Sequence, residues 1–358
     1  MIEDLSALLS SFRLDSEPVL CEPYGCGHIH KSFLSVSSSG HRYLLQKINQ
    51  NVFPCVTELM ENITAVTEFL KRKRRDPLSV LSLVRTREGA SFLQREESCW
   101  RLYDFVEGTI CLQHPESDED FYQSAIGFGS FQEMLADFPV DKLYETIPGF
   151  HNTPKRFEAF LDVLERDPLN RASGAEREIE FVLTRSPEMD TLTSALERGD
   201  IPLRVTHNDT KLNNVLLDAV TRKACCVIDL DTVMPGSSLY DFGDSIRFGA
   251  VTAAEDERDL SRMEISLDRF RVFTRGYCHA LLSLTENEIM LLPAGAKIMT
   301  LECGMRFLAD YLEGDHYFST SRQNQNLDRA RTQFKLVADM EGKWSAMHKI
   351  VKEETGLN

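Results

Sequence analysis

Two polar motifs in the second half of the chain combine the residue types that phosphoryl transfer requires. Residues 207–214, with the sequence HNDTKLNN, have the form H-x-D-x-x-x-x-N, and Asp229 follows an apolar run that begins at Cys225. Kinase-type catalysis places a carboxylate beside the acceptor hydroxyl and uses an Asn and an Asp to hold Mg²⁺ on the nucleotide phosphates. The spacing therefore indicates Asp209 as the catalytic carboxylate, with Asn214 and Asp229 as the metal ligands.

These residue types also have purely structural uses. An Asp after a strand often caps a helix or forms a turn. Three such residues at this spacing, between strand-like segments, favour the catalytic interpretation. For His207 we favour a structural role, because a His in such a loop packs and hydrogen-bonds, and the chemistry does not need it as a base.

The composition limits the classes of partner. The chain has 358 residues, enough for two lobes, and 56 acidic residues against 40 Lys and Arg give a net charge of −16. Nucleic acid and anionic membranes require a basic face, so we expect neither as a partner. An anionic nucleotide can still bind, because Mg²⁺ and backbone N–H groups offset its phosphates locally.

The cysteines and the hydropathy predict a cytoplasmic protein. The nine cysteines form neither a C-x-x-C pair nor a zinc-binding pattern with His, which favours reduced thiols. The first residues, MIED, lack the basic segment of a signal peptide. No apolar stretch approaches the ~18 residues of a membrane helix. We expect the protein to act as a monomer.

The N-terminal part predicts a small sheet with a nucleotide site. Gly25-x-Gly27 lies between two strand-like segments. Glycines there let backbone N–H groups approach phosphates, although a hairpin turn would show the same pattern. In the third predicted strand, Gln46 and Lys47 stand where a kinase places its phosphate-binding Lys. Because side chains alternate between the faces of a strand, only one of the two points at the nucleotide.

A helix is predicted after the third strand. Residues 55–74 carry apolar residues at spacings of three and four, which is typical of an amphipathic helix packed on a sheet. Either Glu58 or Glu61 on this helix would reach the basic residue that binds the phosphates.

Two further strands lead to a hinge between lobes. The second of them ends near Asp104, and backbone groups from Asp104 to Val106 would pair with adenine. The remainder of the chain shows mainly helical patterns. We therefore expect an N-lobe over residues 1–106 and a helical C-lobe, with the catalytic loop and the sugar site, over residues 107–358.

Together these segments resemble the aminoglycoside phosphotransferase/choline kinase family. The matching segments are Gly25-x-Gly27, Glu107-Gly108, His207-x-Asp209-x-x-x-x-Asn214, Ile228-Asp229-x-Asp231, and Gly236 with Asp241. The resemblance implies an α+β, protein-kinase-like bilobal fold, with a small antiparallel sheet and one packing helix in the N-lobe and a larger, mainly helical C-lobe. It also implies a kinase that uses ATP and Mg²⁺ to phosphorylate an alcohol.

Longer segments resemble one group in that family, the N-acetylhexosamine kinases. They are EPYGCGHIH, LRVTHNDTKLNNVLLDA, VIDLDTVMPGSSLYDFGDSIRFGA and ECGMRFLADYLEGDHYF. This resemblance implies transfer of the ATP γ-phosphoryl group to the anomeric C1 hydroxyl of GlcNAc or GalNAc, which gives the sugar 1-phosphate.

The resemblance also implies roles for individual residues. Asp209 would accept the proton of the C1 hydroxyl or orient that hydroxyl, and Lys211 would stabilise the transferring phosphoryl group. Asp231 would bind sugar hydroxyls or a second metal through water, and we favour the sugar. Further sugar contacts are expected from His28, Arg306 and Tyr317.

For three residues, either a second role is open or the sequence differs from the family pattern. Arg306 would equally form an ion pair with Glu302 or Asp310 on its own predicted helix. Asp241 is expected to brace the catalytic loop rather than to touch substrate. In the family, the strand register selects Gln46 as the phosphate contact, so a neutral amide would replace the usual cation unless a shifted register brings in the neighbouring Lys.

Two other functions fit the same residues. A kinase of this fold would act on another acceptor, such as an aminoglycoside, choline or another amino alcohol, or a different sugar. Quaternary ammonium sites need an aromatic cage and cationic antibiotics need clustered acids, and the chain has only two Trp. A nucleotide-binding pseudokinase would account for the missing strand Lys, but Asp209, Asn214 and Asp229 are all present.

Overall fold

The structure is a computed structural model that describes residues 5–25, 29–73 and 80–357. Two predicted site residues, Gly27 and His28, lie outside the described residues.

An antiparallel sheet of six strands forms the core of the N-lobe. The elements of this lobe, in chain order, are α1 Leu5–Leu9, β1 Pro18–Pro23, β2 Lys31–Ser37, β3 Arg42–Lys47, α2 Val56–Lys73, β4 Leu83–Val84, β5 Leu93–Arg95 and β6 Ser98–Asp104. The strand order is β1-β2-β3-β6-β4, and β5 pairs with β6. The predicted sheet with one packing helix is confirmed.

Different elements cover the two faces of this sheet. Leu45 and Leu102, which are partners across β3 and β6, pack in one cluster with the apolar residues of α1. Leu44 packs on the other face, in the cluster that contains α2 and parts of the C-lobe. Because side chains alternate along a strand, this second face also carries Gln46 and its partner Arg101.

Helix α2 joins the two lobes through one apolar face. Its buried apolar residues recur at spacings of three and four and are Val56, Leu59, Met60, Ile63, Val66 and Leu70. They pack in one cluster with C-lobe residues that include Phe131 and Val233. Each fully buried side chain of this type contributes about 1.5–3 kcal/mol of hydrophobic stabilisation.

Helices dominate the C-lobe, as predicted. Its elements are β7 Thr109–Ile110, α3 Asp118–Met134, α4 Thr153–Arg166, α5 Glu176–Thr184, α6 Thr191–Glu197, β8 Arg204–Thr206, β9 Val215–Asp218, β10 Ala224–Val227, β11 Met234–Gly236, α7 Ser238–Gly249, α8 Leu267–Ala280, α9 Glu286–Glu313, α10 Gln325–Gly342 and α11 Trp344–Thr355. Short 3₁₀ turns connect several of them.

Two small antiparallel sheets enclose the H-x-D motif. The motif lies between the end of β8 at Thr206 and the start of β9 at Val215. Strand β8 pairs with β11, whereas β9 pairs with β10 and β7. Asp229 lies two residues after the end of β10 at Val227. Because β10 pairs with β9, which follows the H-x-D motif, the two motifs lie close together.

Helices α7 and α9 cross closely beside this motif. At the crossing, a β-carbon on Gly243 would lie 2.4 Å from the carbonyl oxygen of Gly295, which no real side chain tolerates. Glycine therefore sets the separation of the two helices. Helix α7 also carries Asp241 and Asp244, whose carboxylates bind the catalytic loop.

Within the described ranges, no helix has the length and apolar composition needed to cross a membrane. The lobe boundary after residue 106 and the monomeric state stay predictions.

Candidate active site

Helix α7 holds the backbone of the catalytic loop. The N–H groups of His207 and Asn208 donate to the two carboxylate oxygens of Asp241, over 2.9 and 2.7 Å. The N–H of Thr210 donates to Asp244 over 2.8 Å. This geometry agrees with the bracing role expected of Asp241.

His207 is packed inside the protein. Its Nδ1 accepts the N–H of Asp209 over 3.3 Å, so Nε2 carries the proton and donates it to the carbonyl oxygen of Ile228 over 2.8 Å. The rings of Phe128 and Phe131 contact the imidazole edge-on. The side chain therefore holds the loop together, in agreement with its expected structural role.

Asp209 is held by two polar side chains of its own loop. Lys211 Nζ lies 2.8 Å from Asp209 Oδ1, and Asn214 Nδ2 lies 3.2 Å from Oδ2. Burial alone would raise the pKa of Asp209, but the Lys211 ammonium outweighs burial and keeps this pKa below its ordinary value. Asp209 is therefore ionised at neutral pH and can accept a hydrogen bond from an acceptor hydroxyl.

The backbone ties the predicted metal ligands Asn214 and Asp229 together. The N–H of Ile228 donates to the carbonyl oxygen of Asn214 over 2.9 Å. The next residue, Asp229, adopts the left-handed conformation, with φ 60° and ψ 57°, and begins a single 3₁₀ turn over Leu230–Thr232. A non-glycine residue in this conformation costs about 1–3 kcal/mol, so neighbouring contacts must hold the turn.

The donor set fits Mg²⁺ bound together with a nucleotide. Loss of hydration, followed by the charges of Asp231 and Asp209, raises the pKa of Asp229 well above its ordinary value, and a cation would relieve this crowding. Mg²⁺ accepts carboxylate and amide oxygens and takes its other ligands from water and phosphates. Among the described residues, no cluster of three or more His, Cys, Asp or Glu side chains suits a metal.

Asp231 has other partners than the sugar hydroxyls that the sequence led us to expect. Its carboxylate forms a two-pronged ion pair with Arg101, in which Nη2 lies 2.7 Å from Oδ2. His30 Nε2 lies 3.0 Å from the same Oδ2. Only 3% of Asp231 is exposed. Residues of the N-lobe thus bind both carboxylate oxygens of Asp231. This agrees with the rule that a buried carboxylate is stable only when it is paired.

Gln46 and Lys47 lie on opposite faces of the sheet, as the alternation of β3 requires. Gln46 lies on the sheet face that meets α2 and the C-lobe, and there its Oε1 accepts from Arg101 Nε over 2.9 Å and its Nε2 donates to Ser32 over 3.0 Å. Lys47 Nζ lies 5.4 Å from the ring centre of Trp100, in the direction of the α1 cluster. Arg101, beside Gln46, places a cation on the same face, which the sequence interpretation missed because it looked for a Lys on β3.

Glu61 points away from the sheet, unlike the sequence expectation. The apolar stripe of α2 turns this side chain outward, where it hydrogen-bonds the hydroxyl of Tyr144 and raises the pKa of that hydroxyl. Its neighbour Asn62 points inward and donates to the carbonyl oxygens of Tyr144 and Val233, over 2.8 and 3.1 Å. In addition to its apolar face, helix α2 thus contacts the C-lobe through the side-chain amide of Asn62. Glu61 faces away from β3.

The predicted adenine contacts lie where the sheet meets the C-lobe. The side chain of Asp104 pairs with His41 over 3.2 Å at the end of β6. Val106 follows, and its carbonyl oxygen accepts from Thr109 Oγ1 over 2.8 Å. Gly25 has φ +84°, a turn conformation that favours glycine, and the ring of the preceding residue, Tyr24, lies 5.6 Å from that of Phe105.

Arg306 and Tyr317 come together beside the catalytic loop. Arg306 lies 5.1 Å from the ring centre of Phe150 and 5.6 Å from those of Tyr317 and Phe318. Its Nη2 is 3.4 Å from the Tyr317 hydroxyl. A guanidinium among aromatic rings is stabilised by the ring electrons.

The carboxylates that were considered as partners of Arg306 bind other groups. Glu302 accepts from Thr153 over 2.6 Å and pairs with His151 Nδ1 over 2.8 Å. The Nε2 of that His lies 3.1 Å from the carbonyl oxygen of Asn208. Asp310 instead accepts the N–H groups of residues 316–318. Glu302 therefore links α9, which carries Arg306, to the catalytic loop.

Most of the sequence matches a family model. The model of the phosphotransferase enzyme family covers residues 22–272, which include most of the N-lobe sheet, the catalytic loop and α7. The chain belongs to this family. The expected aminoglycoside phosphotransferase/choline kinase relationship is therefore confirmed, and the protein is a small-molecule kinase.

Solved structures of kinases with different acceptors share the fold. A microcompartment-associated aminopropanol kinase is 14% identical over 97% of this chain and 99% of that chain, with a TM-score of 0.60. A choline kinase from Cryptosporidium parvum Iowa II is 13% identical over 97% of both chains, with a TM-score of 0.61. A spectinomycin phosphotransferase in complex with ADP and spectinomycin is 12% identical over 93% of this chain and 97% of that chain, with a TM-score of 0.61. The protein-kinase-like fold is thereby confirmed.

Proposed function

We propose that this phosphotransferase is an N-acetylhexosamine 1-kinase. It transfers the γ-phosphoryl group of ATP to the anomeric C1 hydroxyl of GlcNAc or GalNAc and releases the sugar 1-phosphate. The reaction type follows from the family and from the catalytic loop, and the acceptor follows from the resemblance of the longer sequence segments and from the side chains beside that loop.

Asp209 acts on the sugar hydroxyl. Its ionised carboxylate orients the C1 hydroxyl and accepts its proton as the bond to the γ-phosphorus forms and the bond from that phosphorus to the leaving oxygen of ADP breaks. A hemiacetal hydroxyl is more acidic than an ordinary alcohol, so positioning contributes more than base strength. Lys211, 2.8 Å from the same carboxylate, stabilises the negative charge of the transferring phosphoryl group.

The nucleotide binds in the cleft between the sheet and this loop. Asn214 and Asp229 hold Mg²⁺, which neutralises charge on the phosphates. Backbone groups at Gly25 and Gly27 approach the phosphates, and those of Asp104 and Val106 pair with adenine.

Arg306 and its aromatic neighbours favour a neutral acceptor. The rings of Phe150, Tyr317 and Phe318 would suit an ammonium group, but the Arg306 guanidinium already lies among them. Arg156 shares this wall, since its guanidinium lies 5.8 Å from the ring centre of Phe150. Burial, followed by the charge of Arg306, lowers the pKa of Arg156. Choline, aminopropanol and the aminoglycosides are cations at neutral pH and would be repelled by two guanidinium groups.

The choice of acceptor rests mainly on the position of Arg306. It lies one helical turn after Glu302, whose carboxylate is connected to the catalytic loop through His151. A sugar hydroxyl or an acetamido carbonyl accepts hydrogen bonds from a guanidinium, whereas an ammonium group does not. Arg306 and Tyr317, together with His28, are the proposed contacts of the N-acetylhexosamine.

An acceptor panel tests the proposal. The purified protein is incubated with MgATP and, separately, GlcNAc, GalNAc, choline, aminopropanol and an aminoglycoside, and ADP release is measured. ADP release with the N-acetylhexosamines, and none with the 1-deoxy analogue of GlcNAc, supports the proposal. Turnover confined to the amines would replace it with an amino-alcohol or aminoglycoside kinase. MgATP binding without turnover on any acceptor would indicate a pseudokinase.

A further inference from the structure

We propose that Arg101 is a positioning residue for phosphoryl transfer. Together with His30, it holds Asp231 and thereby fixes the turn that carries Asp229. The inference rests on the proposed role of Asp229 as a metal ligand, and it is independent of which acceptor the enzyme uses.

The contact between Arg101 and Asp231 joins the two lobes. Arg101 lies on β6 of the N-lobe sheet, and Asp231 lies in the 3₁₀ turn Leu230–Thr232 of the C-lobe. Both guanidinium Nη atoms bind the carboxylate, and both side chains are almost fully buried. A planar guanidinium that meets a carboxylate with two hydrogen bonds fixes its orientation as well as its distance.

His30 supplies the second N-lobe contact. Its Nδ1 accepts the backbone N–H of Asn49 over 3.0 Å, so the ring proton resides on Nε2. That Nε2 donates to Asp231 Oδ2 over 3.0 Å. Asp231 is therefore held from two sides by residues of one lobe.

The sheet in turn orients Arg101. Ser32, Gln46 and Arg101 are direct neighbours across β2, β3 and β6. Gln46 accepts from Arg101 Nε and donates to Ser32, so one row of hydrogen bonds crosses three strands and ends at Asp231. Gln46 thus supports the guanidinium at the site where a protein kinase has its phosphate-binding Lys.

The Arg101–Asp231 ion pair takes the place of the Lys–Glu ion pair found in protein kinases. In protein kinases a Lys on the third strand pairs with a Glu of the adjacent helix, and both must be in place for activity. Here β3 offers Gln46 and α2 turns Glu61 outward, whereas Arg101 binds the metal-site turn directly. Asp229 has a left-handed backbone that needs support, and Asp231, two residues on, provides the attachment. Residues that orient metal ligands in this way commonly change metal affinity or activity about 10–100-fold when replaced.

The test replaces Arg101 with Lys, which keeps the charge but loses the two-pronged geometry. Binding of Mn²⁺ to the enzyme–ADP complex is measured by electron paramagnetic resonance, and ADP binding is measured in EDTA by calorimetry. We expect Mn²⁺ affinity to fall about tenfold or more, with metal-free ADP binding unchanged. In turnover assays, kcat should fall and the Mg²⁺ concentration for half-maximal rate should rise, with little change in the KM of the acceptor.

A matched control separates positioning from general stability. Arg204, at the start of β8, also forms a largely buried two-pronged ion pair, with Glu288 at 2.6 and 2.7 Å. Arg204→Lys should lower the melting temperature while leaving Mn²⁺ affinity unchanged. If Arg101→Lys merely behaves like Arg204→Lys, the inference is wrong.

Two further outcomes decide the matter. A loss of ADP binding in EDTA would make Arg101 a direct nucleotide contact and overturn the positioning role. Should Arg101→Lys fail to fold, Asp231→Asn keeps the shape and removes the charge pair, and unchanged Mn²⁺ affinity in that variant would equally overturn the inference. The metal and nucleotide measurements need no acceptor, so they stand or fall separately from the proposed sugar specificity.

Discussion

Asp209 Oδ1 and Lys211 Nζ face each other across 2.8 Å within one loop. The pair places a proton acceptor and a cation two residues apart, which suits a reaction that removes a proton from the attacking oxygen while negative charge is carried by the phosphoryl oxygens and the leaving ADP. Because Asp209 keeps its pKa low through this contact, it stays ionised at neutral pH despite its surroundings. The loop thus holds a carboxylate and an ammonium group side by side, as the proposed catalytic roles of Asp209 and Lys211 require.

Replacing Asp209 with Asn should abolish most of the activity. The amide keeps the shape but cannot accept the hydroxyl proton, so we expect kcat to fall about 10²–10⁴-fold. The acceptor should still bind with nearly unchanged affinity in calorimetry. A variant with a near-normal rate would remove Asp209 from its proposed role.

Arg306→Gln should weaken sugar binding. The change removes the guanidinium from its aromatic surroundings and takes away hydrogen-bond donors, so we expect the KM for GlcNAc to rise about tenfold or more, with a smaller change in kcat. The matched control is Arg329→Gln, since Arg329, on α10, lies 5.5 Å from the ring centre of Phe307, on α9. An equal rise in KM in both variants would argue against a direct sugar contact.

Gly243→Ala should destabilise the C-lobe and the catalytic loop together. The new β-carbon would meet the Gly295 carbonyl oxygen at 2.4 Å and push α7 away from α9. Overpacking of this kind costs about 1–3 kcal/mol, and the shift would also move Asp241 from the loop it braces. Denaturant unfolding and kcat should both show the effect.

Gly342→Ala is the control for that substitution. Gly342 ends α10 with open space around the added β-carbon, so alanine should be neutral or slightly stabilising there. If Gly243→Ala unfolded at the same denaturant concentration as the control, the close helix crossing would not limit stability.

Glu288 predicts a pH dependence of stability. Burial alone would raise its pKa, but Arg204, the N–H of Thr285 and Ser238 hold the pKa below its ordinary value of 4.5. A carboxyl group with a lowered pKa in the folded state stabilises the fold at pH above its ordinary pKa. This stabilisation is lost as the pH falls through that value toward the folded-state pKa.

The variant Glu288→Gln should show this directly. It leaves Arg204 without its buried partner, so we expect a loss of about 3–5 kcal/mol at pH 7. The difference in melting temperature between wild type and variant should shrink as the pH is lowered from 7 to 3.5. A difference that stays constant over this range would show that Glu288 does not contribute through its charge.

Local patterns were sufficient to predict the elements that lie close together in sequence. The spacing within residues 207–214 points to the catalytic loop, and the apolar stripe of residues 55–74 predicts α2. The same stripe also implies that Glu61 faces outward, which contradicts the expected contact between this side chain and the phosphate-binding residue of β3. Alternation along β3 separates Gln46 from Lys47, and the observed strand pairing then selects Gln46 for the cleft.

The Arg101–Asp231 contact could not be found in this way. The two residues are 130 positions apart, and no local period relates them. Their pairing depends on how the sheet closes on the C-lobe, and on the rule that a buried carboxylate finds a cation. From the sequence, Asp231 was expected to bind sugar hydroxyls or a second metal through water, because nothing in its local pattern indicates a cation from another lobe. The contact of His151 with Glu302 and Asn208 is likewise a product of packing between α9 and the catalytic loop.

The position of the phosphate on the product tests the account most directly. After incubation with GlcNAc and MgATP, a two-dimensional ³¹P–¹H correlation spectrum identifies the sugar proton coupled to phosphorus. We predict coupling to the anomeric proton H1, as expected for GlcNAc 1-phosphate. Coupling to the protons on C6, or phosphorylation of choline and aminopropanol with none of GlcNAc or GalNAc, would contradict the account.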